Sequence, residues 1–78
     1  MRLTHRAGTC DNGPCPNVFD TDSLIDDRDM LVAVQGTTLT DSAALAQLSG
    51  LPANETVVLV PRQLLVDYAQ SVQQQFNQ

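Results

Sequence analysis

The sequence predicts an α+β fold in a single small domain that covers residues 1–78, and three observations carry this prediction. The turn-forming run "DNGP" ahead of "CPNVF" predicts an N-terminal β-hairpin. Two continuous apolar runs, "MLVAVQG" and "TVVLVP", predict strands that flank a short helix. An apolar stripe after Pro61 predicts a C-terminal amphipathic helix, about residues 62–76, packed on a small sheet.

The length limits how far this domain can stabilise itself. A chain of 78 residues buries only about 60% of the surface that its unfolded form exposes. Hydrophobic residues make up 42% of it and charged residues 17%, a composition typical of ordered globular proteins. We therefore expect an ordered domain whose apolar surface is closed by association, with a homodimer as the leading arrangement.

The first hairpin joins residues 2–9 to a strand that contains the apolar pair "VF". The "NG" pair between them tolerates the positive φ angles of a tight turn. Because Pro14 and Pro16 lack N–H groups, we expect the second strand to lie at an edge of the sheet.

The next segment, residues 20–29, is predicted to be a solvated acidic loop. Its aspartates are the predicted partner-binding residues, because a basic protein surface would neutralise them. They are Asp20, Asp22, Asp26, Asp27 and Asp29. The run does not fit a calcium-binding EF-hand, since leucine and isoleucine stand where that loop needs a ligand and a glycine.

The two apolar runs do not alternate with polar residues, so each is expected to be covered on both faces, as an inner strand is. Between them, Thr40 or Asp41 can cap a short helix that Gly50 and Pro52 end. The connection is long enough for a right-handed crossover between parallel strands, and an antiparallel arrangement stays open.

The stripe of the C-terminal helix consists of Leu64, Tyr68, Val72 and Phe76, which recur every four residues. Pro61 stands where the first helical turn tolerates a missing N–H group. We expect the stripe to pack on the sheet or on a partner.

Cys10 and Cys15 are separated by four residues, whereas zinc ribbons and redox motifs have two between their cysteines. If both flank a hairpin loop, their Cα atoms fall within the separation that a disulfide tolerates. A zinc site would combine them with His5 and with Asp11 or Asp20. However, His5 and Cys10 lie on opposite faces of a regular strand. Thiols without a function, a disulfide, and a metal or redox site all stay open.

The net charge of −5 comes from nine acidic residues against four arginines. Such a surface repels phosphate backbones and the arginines are scattered, so we expect a basic protein partner rather than direct nucleic-acid binding. The sequence has no phosphate-binding glycine pattern and no catalytic triad around His5. We therefore expect neither an enzyme nor a bound cofactor, apart from the zinc alternative at Cys10, Cys15 and His5.

The sequence also predicts a location. No apolar run approaches the length of a membrane span, and "MRLTHRAGT" has no apolar stretch typical of a secretion signal. We therefore expect a cytoplasmic protein, in which thiols are normally reduced.

The stretch "TVVLVPRQLLVDYAQ", residues 56–70, resembles the strand and first helix of ribbon-helix-helix repressors. Strands of that family present basic or amide side chains to DNA, unlike Thr56, Val58 and Val60, and a second helix follows the first. Over more of the chain, "TCDNGPCPNVF", "VAVQG" and "VVLVPRQLL" resemble small actinobacterial proteins with a TC-x-NG-x-CP start. This second resemblance implies no activity and no site residues.

Together the observations predict a non-catalytic protein-interaction or regulatory module with an acidic surface, acting through a protein partner. Two alternatives stay open. One is a thiol- or zinc-dependent module that uses Cys10 and Cys15, and the other is an antitoxin-like or ribbon-helix-helix DNA-binding regulator.

Overall fold

The structure is a computed structural model that describes residues 1–8, 15–26 and 29–76, with side chains through residue 74. Its elements in chain order are β1 (Leu3–Gly8), β2 (Asn17–Ile25), β3 (Asp29–Gln35), β4 (Thr37–Thr38), α1 (Ser42–Leu45), β5 (Val58–Leu59) and α2 (Arg62–Phe76). A helix packed on antiparallel strands confirms the predicted α+β class.

The main sheet has three strands in the order β1-β2-β3, all antiparallel. The predicted N-terminal hairpin is confirmed by the pairing of β1 with β2, in which His5 lies opposite Phe19. Its register shifts between His5 and Ala7, so Arg6 lies in an irregularity of β1. The predicted turn, residues 11–14, lies outside the described residues.

The prediction that β2 is an edge strand is wrong, because β2 lies between β1 and β3. The strand begins at Asn17, directly after Pro16. The missing N–H group of Pro16 therefore precedes the ladder and removes no hydrogen bond from it.

The acidic loop predicted at residues 20–29 is also wrong over most of its length. β2 continues to Ile25, and β3 already begins at Asp29. The pairing of β2 with β3 is irregular between Asp20 and Leu24, where a buried threonine contacts the opposite strand. The Thr21 hydroxyl donates to the Leu31 carbonyl at 2.7 Å and accepts from the Ser23 N–H at 3.2 Å.

The prediction that the apolar run of β3 is covered on both faces, as an inner strand is, is wrong. β3 is an edge strand of the described sheet, and its apolar side chains are exposed. These side chains are Met30, Leu31, Val32 and Val34.

The second apolar run, residues 56–61, forms only the short strand β5, which pairs antiparallel with β4 instead of joining β3. No parallel crossover is therefore formed between the two runs. Of the two predicted caps, Asp41 is the one that caps α1, since its Oδ2 accepts from the Ala44 N–H at 2.9 Å. The helix ends at Leu45, before the predicted stop at Gly50 and Pro52. Gly36 allows β5 to approach, because a Cβ there would lie 2.6 Å from the Leu59 carbonyl oxygen.

The core lies between α2 and the β1–β2 hairpin. It consists of Ala7, Val18 and Leu64, with Val60 and Tyr68 packed against them. The helix bounds and the packing of its stripe on the sheet confirm the prediction for α2, while the Phe76 side chain lies outside the described part.

Candidate functional site

A polar network crosses the sheet at the start of β2. Asn17 is fully buried, and its Nδ2 donates to the Cys15 carbonyl at 2.9 Å and to Gln35 Oε1 at 3.0 Å. Its Oδ1 is therefore the acceptor from His5 Nε2, 2.9 Å away. These bonds tie β1, β2 and β3 together and satisfy a polar group that would otherwise be costly to bury.

His5 is one of the predicted zinc ligands, and its Nε2 takes part in the hydrogen-bond network of Asn17. Because this nitrogen donates its N–H to Asn17, it has no lone pair available for a metal. The ring also meets Phe19 edge to face, with centroids 5.6 Å apart. Within the described ranges, no group of three or more His, Cys, Asp or Glu side chains could hold a metal ion.

Cys15 is disulfide-bonded, and Cys10, the only other cysteine of the sequence, lies outside the described residues. This disulfide contrasts with the sequence-based expectation of a cytoplasmic protein, in which thiols are normally reduced. The Cys15 carbonyl accepts from buried Asn17 next to this bond, so the first residue after the undescribed segment is anchored to the core.

Asp20, one of the predicted partner-binding residues, is engaged inside the chain. Its Oδ2 lies 2.6 Å from Arg6 Nε, and its Oδ1 accepts from the Tyr68 hydroxyl at 2.7 Å. Both carboxylate oxygens therefore join β2 to β1 and α2. The hydrogen bond to Asp20, followed by burial, raises the pKa of Tyr68 to about 12.

Replacing Tyr68 with phenylalanine should remove an alkaline-sensitive part of the stability. Since the pKa of Tyr68 rises from its ordinary 10.0 to about 12 on folding, its contribution is complete below pH 10 and is lost as the pH approaches 12. At pH 7 we expect Tyr68→Phe to lower the free energy of unfolding by about 1 kcal/mol, a typical net hydrogen bond. Urea denaturation at pH 7 and pH 11 should show a smaller difference from wild type at pH 11.

Tyr68 is the only tyrosine of the sequence, so its ultraviolet absorbance reports its ionisation directly. Ionisation of the folded protein at the ordinary pKa of 10.0 would contradict the Asp20 hydrogen bond.

At the end of the β2–β3 hairpin, two consecutive apolar residues of β2 are exposed on opposite faces of the strand, close in sequence to three described aspartates. We call these five residues the hairpin-end surface. Leu24 and Ile25 are each 52% exposed there. The exposed carboxylates beside them belong to Asp22, Asp26 and Asp29. Asp27, also predicted to bind a partner, lies outside the described residues.

Local contacts hold this surface in place. Asp22 Oδ1 accepts from the Arg2 N–H at 3.0 Å, and Asp29 Oδ1 accepts from the Met30 N–H at 2.9 Å. Asp26 has a φ of 52°, a conformation that aspartate adopts more readily than most residues. Carboxylates and apolar side chains thus lie at the same end of the hairpin, an arrangement suited to a partner that is both basic and apolar.

An open cleft of about 300 Å³ lies where α2 begins beside the end of β1. Its lining residues are Gly8, Pro16, Pro61, Gln63, Leu64 and Asp67. Asp67 Oδ1 accepts from Gln63 Nε2 at 2.9 Å, and the lining contains no nucleophile and base in contact. The described lining therefore makes the cleft a small and mainly apolar recess.

Comparisons with protein-family models, curated proteins and solved structures find no match for this chain. Among the described residues, no helix has the length and apolar character needed to cross a bilayer.

The sequence indicated only part of this geometry. It identified the aspartates and placed Leu24 and Ile25 among them, but in a loop. It did not indicate the hydrogen bonds of Asn17 or the engagement of Asp20. Tyr68 lies 48 positions from Asp20, and no local pattern predicts that contact.

Proposed function

We propose that this chain is a non-catalytic protein-interaction module that binds a basic protein partner through the hairpin-end surface. The observation that carries the proposal is the exposure of Leu24 and Ile25 among Asp22, Asp26 and Asp29. Burying the two apolar side chains would supply affinity, and the carboxylates would speed encounter and select for positive charge.

The charge of the whole chain supports the same class of partner. A net charge of −5 attracts basic proteins over a range of about 10 Å at moderate salt. The same charge repels nucleic acid, so we expect no shift of duplex DNA at low salt, which would distinguish this proposal from a ribbon-helix-helix regulator.

Site-specific photocrosslinking in cell extract tests the proposal. A photoreactive residue at position 25 should capture a protein, whereas one at position 65 should not, although Ile25 and Leu65 are almost equally exposed at 52% and 51%. Capture should weaken as salt rises, because the carboxylates attract the partner electrostatically.

Charge variants show whether the hairpin end, rather than net charge, is responsible. Asp22→Asn with Asp26→Asn should abolish capture from position 25. Glu55→Gln with Asp67→Asn, which changes the net charge equally at exposed positions elsewhere, should leave capture intact. Equal capture from positions 25 and 65, or equal loss in the two double variants, would rule out this surface as the binding site.

The cytoplasmic location stays part of the proposal, and Cys15 provides its test. Extract prepared in an alkylating agent preserves the redox state that the cysteines have in the cell. Alkylation of Cys15 would support a reducing compartment, whereas protection would place the protein in an oxidising one.

A further inference from the structure

The isolated chain exposes more surface than a folded monomer of its mass. It exposes 6195 Å², whereas the scaling for monomeric proteins gives about 4,600 Å². Its radius of gyration is 14.3 Å, compared with about 11.5 Å expected for this length. The excess of about 1,600 Å² is twice the roughly 800 Å² that each partner buries in a standard interface.

Among the described residues, four of the fourteen exposed large apolar side chains lie along β3, one of the two edge strands of the main sheet. α2 packs mainly on β1 and β2. Val18 lies opposite Val34, and Asp20 lies opposite Val32, so Val32 and Val34 share the α2 face of the sheet. Each of these two valines is 40% exposed.

Two hydrogen bonds show which peptide groups of β3 point away from the sheet. The Leu31 carbonyl faces β2, because it accepts from the Thr21 hydroxyl. The Met30 N–H instead bonds the side chain of Asp29. Since alternate residues of a strand point their peptide groups to opposite sides, those of Met30, Val32 and Val34 face the open edge.

The strand "DMLVAVQ" is self-complementary when two copies run antiparallel with Val32 at the centre. Met30 then lies opposite Val34 of the second copy, and each of these pairs joins two outward-facing peptide groups. Asp29 lies opposite Gln35, so no like charges meet across the strands. An antiparallel register centred between two residues, rather than on one, would place outward-facing peptide groups of one copy opposite inward-facing peptide groups of the other.

We propose that this protein forms a twofold dimer through β3, with Val32 facing Val32 of the second copy in a continuous sheet. The twofold axis is perpendicular to the sheet, so both α2 helices lie on the same face. On pairing, the Met30 N–H exchanges the Asp29 oxygen for the Val34 carbonyl of the second copy. The β3 edges of both monomers are thereby paired, and the β1 edges become the ends of a six-stranded sheet.

Measurement of the molecular mass in solution by light scattering and sedimentation is the first test. Wild type should have twice the mass of one chain, and Val32→Lys should have the mass of one chain, because two ammonium groups would face each other at the centre. Leu45→Lys is the matched control, since Leu45 is exposed to 38% on α1 and should leave the dimer intact.

Amide hydrogen exchange on wild type tests the register without any substitution. The N–H groups of Val32 and Val34 should be protected when the protein is dimeric and should exchange rapidly on dilution to monomer. A monomer at about 1 mM protein, or a dimer in which these two amides exchange freely, would overturn the proposal.

Salt separates this dimer from the binding of a basic partner. Each copy carries a charge of −5, so raising the salt from about 50 to 500 mM should tighten the dimer and weaken capture at position 25. A dimer that captures no protein at position 25 would contradict the proposed basic partner and support the β3 interface. Capture by a protein that stays monomeric would support the basic partner and contradict the β3 interface.

Discussion

Replacement of Leu64 with alanine is expected to lower the free energy of unfolding by about 2 to 5 kcal/mol, the usual cost of truncating a buried leucine. Leu64 is only 5% exposed and is one of the few buried apolar side chains of the described core. A domain of this length has a total stability of about 4 to 12 kcal/mol, so the variant should lose a large part of it.

Leu65→Ala is the matched control, because Leu65 is the next residue of α2 and is 51% exposed. It should change the stability by less than about 1 kcal/mol, as surface substitutions do. Urea denaturation followed by circular dichroism, at one protein concentration, measures both variants. Equal losses in the two variants would mean that α2 does not pack with Leu64 facing the sheet.

Replacement of Asn17 with alanine is expected to lower the free energy of unfolding by about 3 kcal/mol, the second large effect. Asn17 is fully buried, and its side chain bonds His5, Gln35 and the Cys15 carbonyl. Alanine cannot replace any of these bonds, so three half-buried polar partners each lose a hydrogen bond and a cavity replaces the buried amide.

Asn54→Ala makes the same chemical change at an exposed position and should be nearly neutral. Thermal and urea denaturation measure the difference between the two variants. A loss for Asn17→Ala no larger than that for Asn54→Ala would show that the network contributes nothing to the fold. NMR of His5 gives an independent readout, since its Nε2 proton should become exposed to exchange in Asn17→Ala.

Gly8 allows β1 to lie close to the hydrogen-bond network of Asn17. Its φ is 127°, and a Cβ at this position would collide with Asn17 Oδ1. The sheet therefore brings β1 backbone directly over the Asn17 side chain, a close approach that only glycine permits.

The two proposals assign partner binding and dimerisation to neighbouring parts of the β2–β3 hairpin. The turn carries charge and exposed leucine and isoleucine, whereas the free edge of β3 is uncharged between Met30 and Val34. A dimer through the edges would present two hairpin-end surfaces, so a partner with two basic sites would bind more tightly than one with a single site.

The sequence by itself determined the local elements of this protein. The stripe of Leu64, Tyr68 and Val72 predicted α2 and the face that it packs, and Asp41 predicted the cap of α1. The hairpin of β1 and β2 followed from its turn residues. These features depend on residues a few positions apart, so their periodicity and capping chemistry are visible in the chain itself.

Only the tertiary structure decided which strand is central, where the aspartates lie and what Asp20 contacts. β2 became central because β3 pairs along its other side, and Thr21 contacts the opposite strand within the acidic segment. β5 paired with β4 and left the edge of β3 open. Strand order and register depend on hydrogen-bond partners distant in sequence, so the same local pattern is compatible with an inner strand, an edge strand or a loop.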